Sequence, residues 1–406
     1  MASHSPIASD ADPAAGRNAL DADALIAEAS VRSNLLARGM ESFRPGLERF
    51  VADYNRAPNT TEAGRATTRQ WILDVLAARY AVEDWIGQHP RILDEQVMRP
   101  VFIVGLPRAG TTMLMNVLSK DDRHRFYWNW EANREVPPAR AANMHDDPRI
   151  ALKVREIEGA ITAGILDPRH HVELGDEPTE CGGGLLAQDF KSYLWPIQAQ
   201  VPDYFDWWLD KADMTAAFRH HKRGLQLMQS NAPGTWILKH PCHALFIAEM
   251  LDVYPDARFI VTHRDPVNPV GSSCSIIRHL LLQGNETVDD GLIGREVLKL
   301  QAQSMQRLEA ARQAHPDTPF LDLHYRALLA DPMGQIGRIY AFLEEELTDE
   351  VAQKMRDKLA ESRTSHSSHG RHEYRLSDFH LSQQDIEAAF DGYVDRYGIE
   401  REVLPL

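Results

Sequence analysis

The sequence predicts an α/β fold, a parallel sheet flanked by helices, with a helical extension ahead of it. Three observations carry that expectation. Short apolar runs rich in β-branched or aromatic residues recur at Val101-Phe102-Ile103-Val104, Trp236-Ile237-Leu238 and Phe259-Ile260-Val261. Each run leads through a turn into a helical pattern. Before Pro100, by contrast, apolar residues fall only at helix spacing. Strands that alternate with helices and lack a polar face argue for a parallel sheet covered on both sides.

Taken in order, residues 1–17 are rich in Ala, Ser, Asp and Pro and read as a disordered tail. Residues 18–97 form the helical extension. Leu25, Ile26 and Ala29 share one face, as do Trp71, Ile72, Val75, Leu76 and Tyr80, and Pro90 closes the run. Residues 98–406 form the α/β domain. Its first strand, Val101 to Val104, is followed by a glycine-bearing turn and a helix from Thr111 to Leu118. The second, Trp236 to Leu238, leads into a helix around Ala244 to Val253. The third, beginning at Arg258, leads into a helix from Val267 to Leu282. A fourth strand is expected from Pro319 to Leu323. Ligands in such sheets sit beyond the carboxyl ends of the strands. The loops after Val104, Leu238 and Val261 are therefore the candidate site.

The 406 residues carry a net charge of −15. That field disfavours nonspecific binding to nucleic acid or to anionic membranes, so an anionic ligand needs a local cationic pocket. Cys181, Cys242 and Cys274 lack zinc-site spacing and are odd in number, which fits buried thiols in a reducing compartment. No secretory signal or membrane-length apolar run is present, so a cytoplasmic location is expected. The glycosylation pattern Asn285-Glu286-Thr287 is idle in that setting. Nothing in the sequence specifies an oligomeric state.

The first candidate loop reads Gly105-Leu106-Pro107-Arg108-Ala109-Gly110-Thr111-Thr112. Its glycines stand where an ATP-binding P-loop has them, but Thr111 replaces the lysine that reaches a γ-phosphate. No strand-end aspartate for magnesium is evident. Backbone N–H groups at a helix start still suit a phosphate. The loop therefore fits a nucleotide phosphate without ATP chemistry.

Pro107-Arg108-Ala109-Gly110-Thr111-Thr112 resembles the 5′-phosphosulfate loop of sulfotransferases that use 3′-phosphoadenosine 5′-phosphosulfate (PAPS). The resemblance spans nearly the whole chain and is strongest to the broad, largely bacterial group. It implies a P-loop-like α/β core, PAPS as cosubstrate, no metal, and a small-molecule hydroxyl acceptor. Thr262-His263-Arg264-Asp265-Pro266 with Ser272 resembles the family's 3′-phosphate motif. Chemically, that phosphate asks for a cationic fork and a hydroxyl donor. His324-Tyr325-Arg326 resembles a segment whose tyrosine lies by the nucleotide, though Arg326 departs from the pattern. His369-Gly370-Arg371-His372 resembles the late basic loop that closes on the 3′-phosphate, which implies a role for Arg371. His366, His369 and His372 read as a solvated loop rather than a metal site.

For the chemistry, Arg108 and Lys239 match the cations that stabilise the leaving phosphate. Four residues are candidate bases for the acceptor hydroxyl. Glu131 follows Trp128-Asn129-Trp130 and ranks first. His171 opens a segment that runs through Glu180 to Cys181, and both His171 and Glu180 qualify. His240 lies one residue from the catalytic histidine position of the cytosolic relatives. The Gly182-Gly183-Gly184 run is a turn or room for an acceptor. The aromatic group Tyr193, Trp195, Tyr204, Phe205, Trp207 and Trp208 is core or acceptor wall. Two rival functions remain at this level, a nucleotide-binding protein without transferase activity and an ATP-dependent small-molecule kinase.

Overall fold

A computed structural model describes residues 19–166, 174–179, 184–368 and 374–402. The chain opens with helices α1 (Ala22–Ser33), α2 (Met40–Tyr54) and α3 (Glu62–Gln88). Capping side chains start two of them. Asp21 accepts from Ala24 N–H, and Thr61 accepts from Gly64 N–H. Strand β1 (Val101–Gly105) then leads into α4 (Thr111–Leu118), and a two-residue strand β2 (His124–Arg125) follows. Helices α5 (Pro148–Thr162), α6 (Leu185–Gln188), α7 (Pro202–Asp210) and α8 (Met214–Gln229) separate it from β3 (Thr235–Lys239). After β3 come α9 (Ile247–Val253), β4 (Arg258–His263), α10 (Val267–Leu281), α11 (Asp290–Ala314) and β5 (Phe320–His324). The remainder holds α12 (Tyr325–Ala330), α13 (Pro332–Leu343), α14 (Asp349–Ser368), α15 (Gln383–Ala389) and α16 (Tyr393–Arg396).

The five strands form one parallel sheet in the order β2-β3-β1-β4-β5. The four expected strands are present, and β2 is an addition. Its two residues are too few for alternation to announce a strand. Side-chain alternation splits the central strands between two cores. Phe102, Val104, Leu238, Phe259 and Val261 face the core shared with α1 to α3 and α7 to α11. Val101, Ile103, Ile237 and Ile260 face the core under α4, α13 and α14. Both faces being buried explains why these strands read as unbroken apolar runs.

The aromatic group lies mainly in the first core. Trp195 stacks on Phe190, and Phe50 of α2 packs against Trp195 and Tyr204, so these rings bind the N-terminal helices to the rest. Cys242 and Cys274 are buried, and neither is in a disulfide among the described residues. Asn285 is buried, with its amide donating to Leu281 and Gln198 carbonyls, which removes it from any glycosylation role. No helix among the described residues is long and apolar enough to cross a membrane.

Candidate active site

The central strand β1 has β3 and β4 as neighbours, so the loops after these three strands share one edge of the sheet. Ile103 registers with Lys239, and Gly105 with Thr262. Gly105 has φ 135°, and a Cβ there would stand 2.4 Å from the Thr262 carbonyl oxygen. Only glycine fits where the chain leaves the strand. Arg108 then adopts φ 67° and Gly110 φ 84°. The left-handed turns bring the loop back onto the start of α4. The first helical bond there runs from Leu114 N–H to the Gly110 carbonyl at 3.0 Å. The N–H groups of Thr111 and Thr112 precede that bond and belong to the positive end of the helix. Ala109 is buried and its N–H donates to the Leu106 carbonyl at 3.3 Å, which fixes the turn.

Arg264, just past β4, ties the second loop to the first. Its Nη1 donates to the Arg108 carbonyl at 2.6 Å. Its guanidinium lies 4.1 Å from the centroid of the Tyr325 ring, and that ring also packs over Gly110. Nε and Nη2 donate to the two carboxylate oxygens of Glu402, each at 2.7 Å. Burial works against the Arg264 charge, and the Glu402 partner more than offsets it, so the pKa is raised. Glu402 moves down: burial alone would raise its pKa, and Arg264 outweighs it. Asn268, in the first turn of α10, donates to Glu402 at 2.6 Å. Ser272 stands one turn further along the same helix, four residues on, so Asn268 and Ser272 share a face. Tyr374 donates to the Asn268 carbonyl at 3.1 Å and lies over Gly271.

Arg108 is open to solvent, yet enough protein surrounds it that desolvation, followed by the Arg264 charge, lowers its pKa. Two guanidinium groups thus converge on one mouth. In a chain of net charge −15 these two cations stand together where the loops after β1 and β4 meet.

Lys239 ends β3 and is buried, with buried His240 beside it. Nδ1 of His240 accepts the Cys242 N–H at 3.2 Å, which in a neutral ring leaves the proton on Nε2. Glu131 is also buried, in an ion pair with Arg125, and its other oxygen accepts the Trp128 N–H at 3.3 Å. The segment after β2 meets the stretch before the glycine run: Thr179 N–H donates to the Tyr127 carbonyl at 2.7 Å, and Asn129 N–H to the Glu177 carbonyl at 3.0 Å. His171, Glu180 and Arg371 lie outside the described residues, as do Gly182 and Gly183. The potential metal-ligand group Asp121, His124 and Glu345 lies at the opposite edge of the sheet, where β2 and β3 begin. There Asp121 accepts from Arg123 and Tyr340, and His124 pairs with Glu345.

Sequence reasoning missed Asn268, Glu402 and Arg125. Asn268 had a usable signal, since it stands one helical turn before Ser272. Glu402 and Arg125 had none, being ordinary surface-type residues until the chain folds.

Residues 100–349 match the model of the sulfotransferase family. The chain belongs to the sulfotransferase family. This sulfotransferase is 28% identical over 310 residues to the omega-hydroxy-beta-dihydromenaquinone-9 sulfotransferase Stf3 of Mycobacterium bovis, covering 74% of this chain and 76% of that one. Among solved structures, sulfotransferase STF9 of Mycobacterium avium superposes with a TM-score of 0.86 at 32% identity, covering 97% of this chain and 99% of that one. Sulfotransferase STF1 of Mycobacterium tuberculosis gives a TM-score of 0.80 at 27% identity, covering 92% and 99%. The enzyme therefore transfers sulfuryl groups on an α/β fold.

Proposed function

We propose that this sulfotransferase takes the sulfuryl group of PAPS and delivers it to a hydroxyl of a small-molecule acceptor. One observation carries the assignment of parts: Arg264 is bonded to the carbonyl of Arg108, so the two phosphate loops form a single mouth. Arg108 with the backbone of Ala109, Gly110, Thr111 and Thr112 takes the 5′-phosphosulfate. Arg264 and Ser272 take the 3′-phosphate, with Arg371 as a further donor. Tyr325 packs beside the nucleotide. The relative named for a hydroxylated dihydromenaquinone supports a hydroxyl as the accepting group.

In the reaction the acceptor oxygen attacks sulfur and loses its proton to a base. The bond from sulfur to the 5′-phosphate oxygen breaks, and its electron pair leaves with 3′-phosphoadenosine 5′-phosphate (PAP). Charge grows on that leaving phosphate, so fixed cations near it accelerate the step. Arg108 stands in the loop after β1 and Lys239 at the end of the adjoining strand β3. The base is one of Glu131, His171, Glu180 and His240. The pairing of Glu131 with Arg125 and the Cys242 bond at His240 Nδ1 move weight toward His171 and Glu180.

Calorimetric titration of the full chain with PAP, and separately with ATP and magnesium, tests the donor. Submicromolar PAP binding with none of ATP is expected. Preference for ATP would replace this assignment by a kinase.

A further inference from the structure

The fork of Arg264 is filled from within the chain. Nε and Nη2 hold both oxygens of Glu402 at 2.7 Å, and the amide of Asn268 adds a third bond to the same carboxylate at 2.6 Å. A bidentate guanidinium with a neighbouring side-chain donor is the recognition set that a phosphate dianion asks for. Glu402 is also placed by its backbone, whose N–H donates to the Asp265 carboxylate at 2.8 Å. The residues just before it are strapped down by Arg326, which pairs with Glu400 and donates to the Arg401 carbonyl at 3.0 Å. Asp265 in turn accepts the Val267 N–H at the start of α10, so the strap and the helix that carries Asn268 and Ser272 share one anchor. Glu402 and Arg264 are both mostly screened from solvent, their side chains 15% and 16% exposed.

We propose that Glu402 is an internal ligand of the 3′-phosphate receiver, displaced when the nucleotide's 3′-phosphate binds and restored when PAP leaves. This rests on Arg264 being that receiver. Two anions cannot hold the same two N–H groups, so binding of the phosphate and the Glu402 bond exclude each other. Displacement subtracts from the affinity for any 3′-phosphorylated nucleotide and leaves one without that phosphate unaffected. The arrangement keeps Arg264 oriented between turnovers and weakens PAPS and PAP alike, so the bound product is released more readily. Arg326, which departs from the family pattern, acquires a role as the strap's anchor.

The test is calorimetry of the full chain with PAP and with AMP, which lacks the 3′-phosphate, on wild type, Glu402→Gln and Arg264→Ala. Glu402→Gln is expected to bind PAP about tenfold tighter with AMP affinity unchanged, a displacement worth about 1.4 kcal/mol. Arg264→Ala is expected to lose the preference for PAP over AMP. Hydrogen exchange on wild type adds a second readout: PAP, and not AMP, should speed exchange of the backbone amides of residues 399–402. If Arg264→Ala loses the preference while Glu402→Gln binds PAP no tighter, or more weakly, Glu402 only holds Arg264 in place and the inference falls alone. If Arg264→Ala keeps the preference, the assignment of Arg264 falls and takes the inference with it.

Discussion

Replacing Glu135 by Gln should change how stability varies with pH, in a sense opposite to most carboxylates. Glu135 is buried, and burial pushes its pKa up to about 7, from 4.5. Tyr127 Oη donates to its Oε1 at 2.6 Å, Gln188 Nε2 at 2.8 Å and Asn133 N–H at 3.2 Å. All three bonds use the same oxygen, so glutamine retains them. Because the folded state holds the proton more tightly than the unfolded chain, stability is lost as pH rises from about 4.5 through about 7. At 1.36 kcal/mol per unit, the loss is about 3 kcal/mol. Across Gln188 sits His220, whose Nε2 lies 3.2 Å from Gln188 Oε1. Burial, with the Arg79 charge, lowers its pKa from 6.5 to about 4. The folded state resists that proton, so His220 contributes about 3 kcal/mol that appears as pH rises from about 4 to about 6.5. In the wild type these two slopes nearly cancel. Glu135→Gln removes one of them. The variant should match wild type below about pH 4.5 and exceed it by about 3 kcal/mol above about pH 7.5. Urea unfolding followed by tryptophan fluorescence across that range measures the difference. Two curves separated by a constant at every pH would show that Glu135 titrates alike in both states, and the burial argument would fail.

Other outcomes follow from the site. Glu131→Gln breaks a buried ion pair and should lower stability by about 3 kcal/mol while leaving PAP affinity intact. Unchanged thermal stability with PAPS cleavage slowed a hundredfold or more would instead make Glu131 the base. Gly105→Ala places a Cβ 2.4 Å from the Thr262 carbonyl oxygen at a φ that alanine resists. A stability loss of about 3 kcal/mol with weakened PAP binding is expected, read by unfolding and calorimetry. Arg108→Ala should slow PAPS cleavage about a hundredfold, and Arg108→Lys should recover a large part, because the loop needs a cation at that point. Equal rates for all three would remove Arg108 from the leaving-group role.

Much of the fold and part of the site were legible in the amino-acid sequence because they depend on local pattern. A strand buried on both faces must be apolar throughout, and the turn from β1 to α4 needs Gly105 and Gly110 for their positive φ. Arg108, Arg264 and Tyr325 could be singled out because each follows a recognisable strand, within a motif that resembles the family's. Sequence could rank Glu131 as a base but could not show Arg125 against it, since that pair forms only when β2 joins the sheet edge. Nor could it place Glu402 on Arg264, 138 residues away, or join Glu135 to His220 through Gln188. Periodicity states which face of a helix or strand is apolar. It does not state which charged group comes within bonding distance of which other. That choice depends on packing between elements distant in the chain, so the tertiary structure alone decided which of the candidate side chains come together at the ends of the strands and which already hold one another.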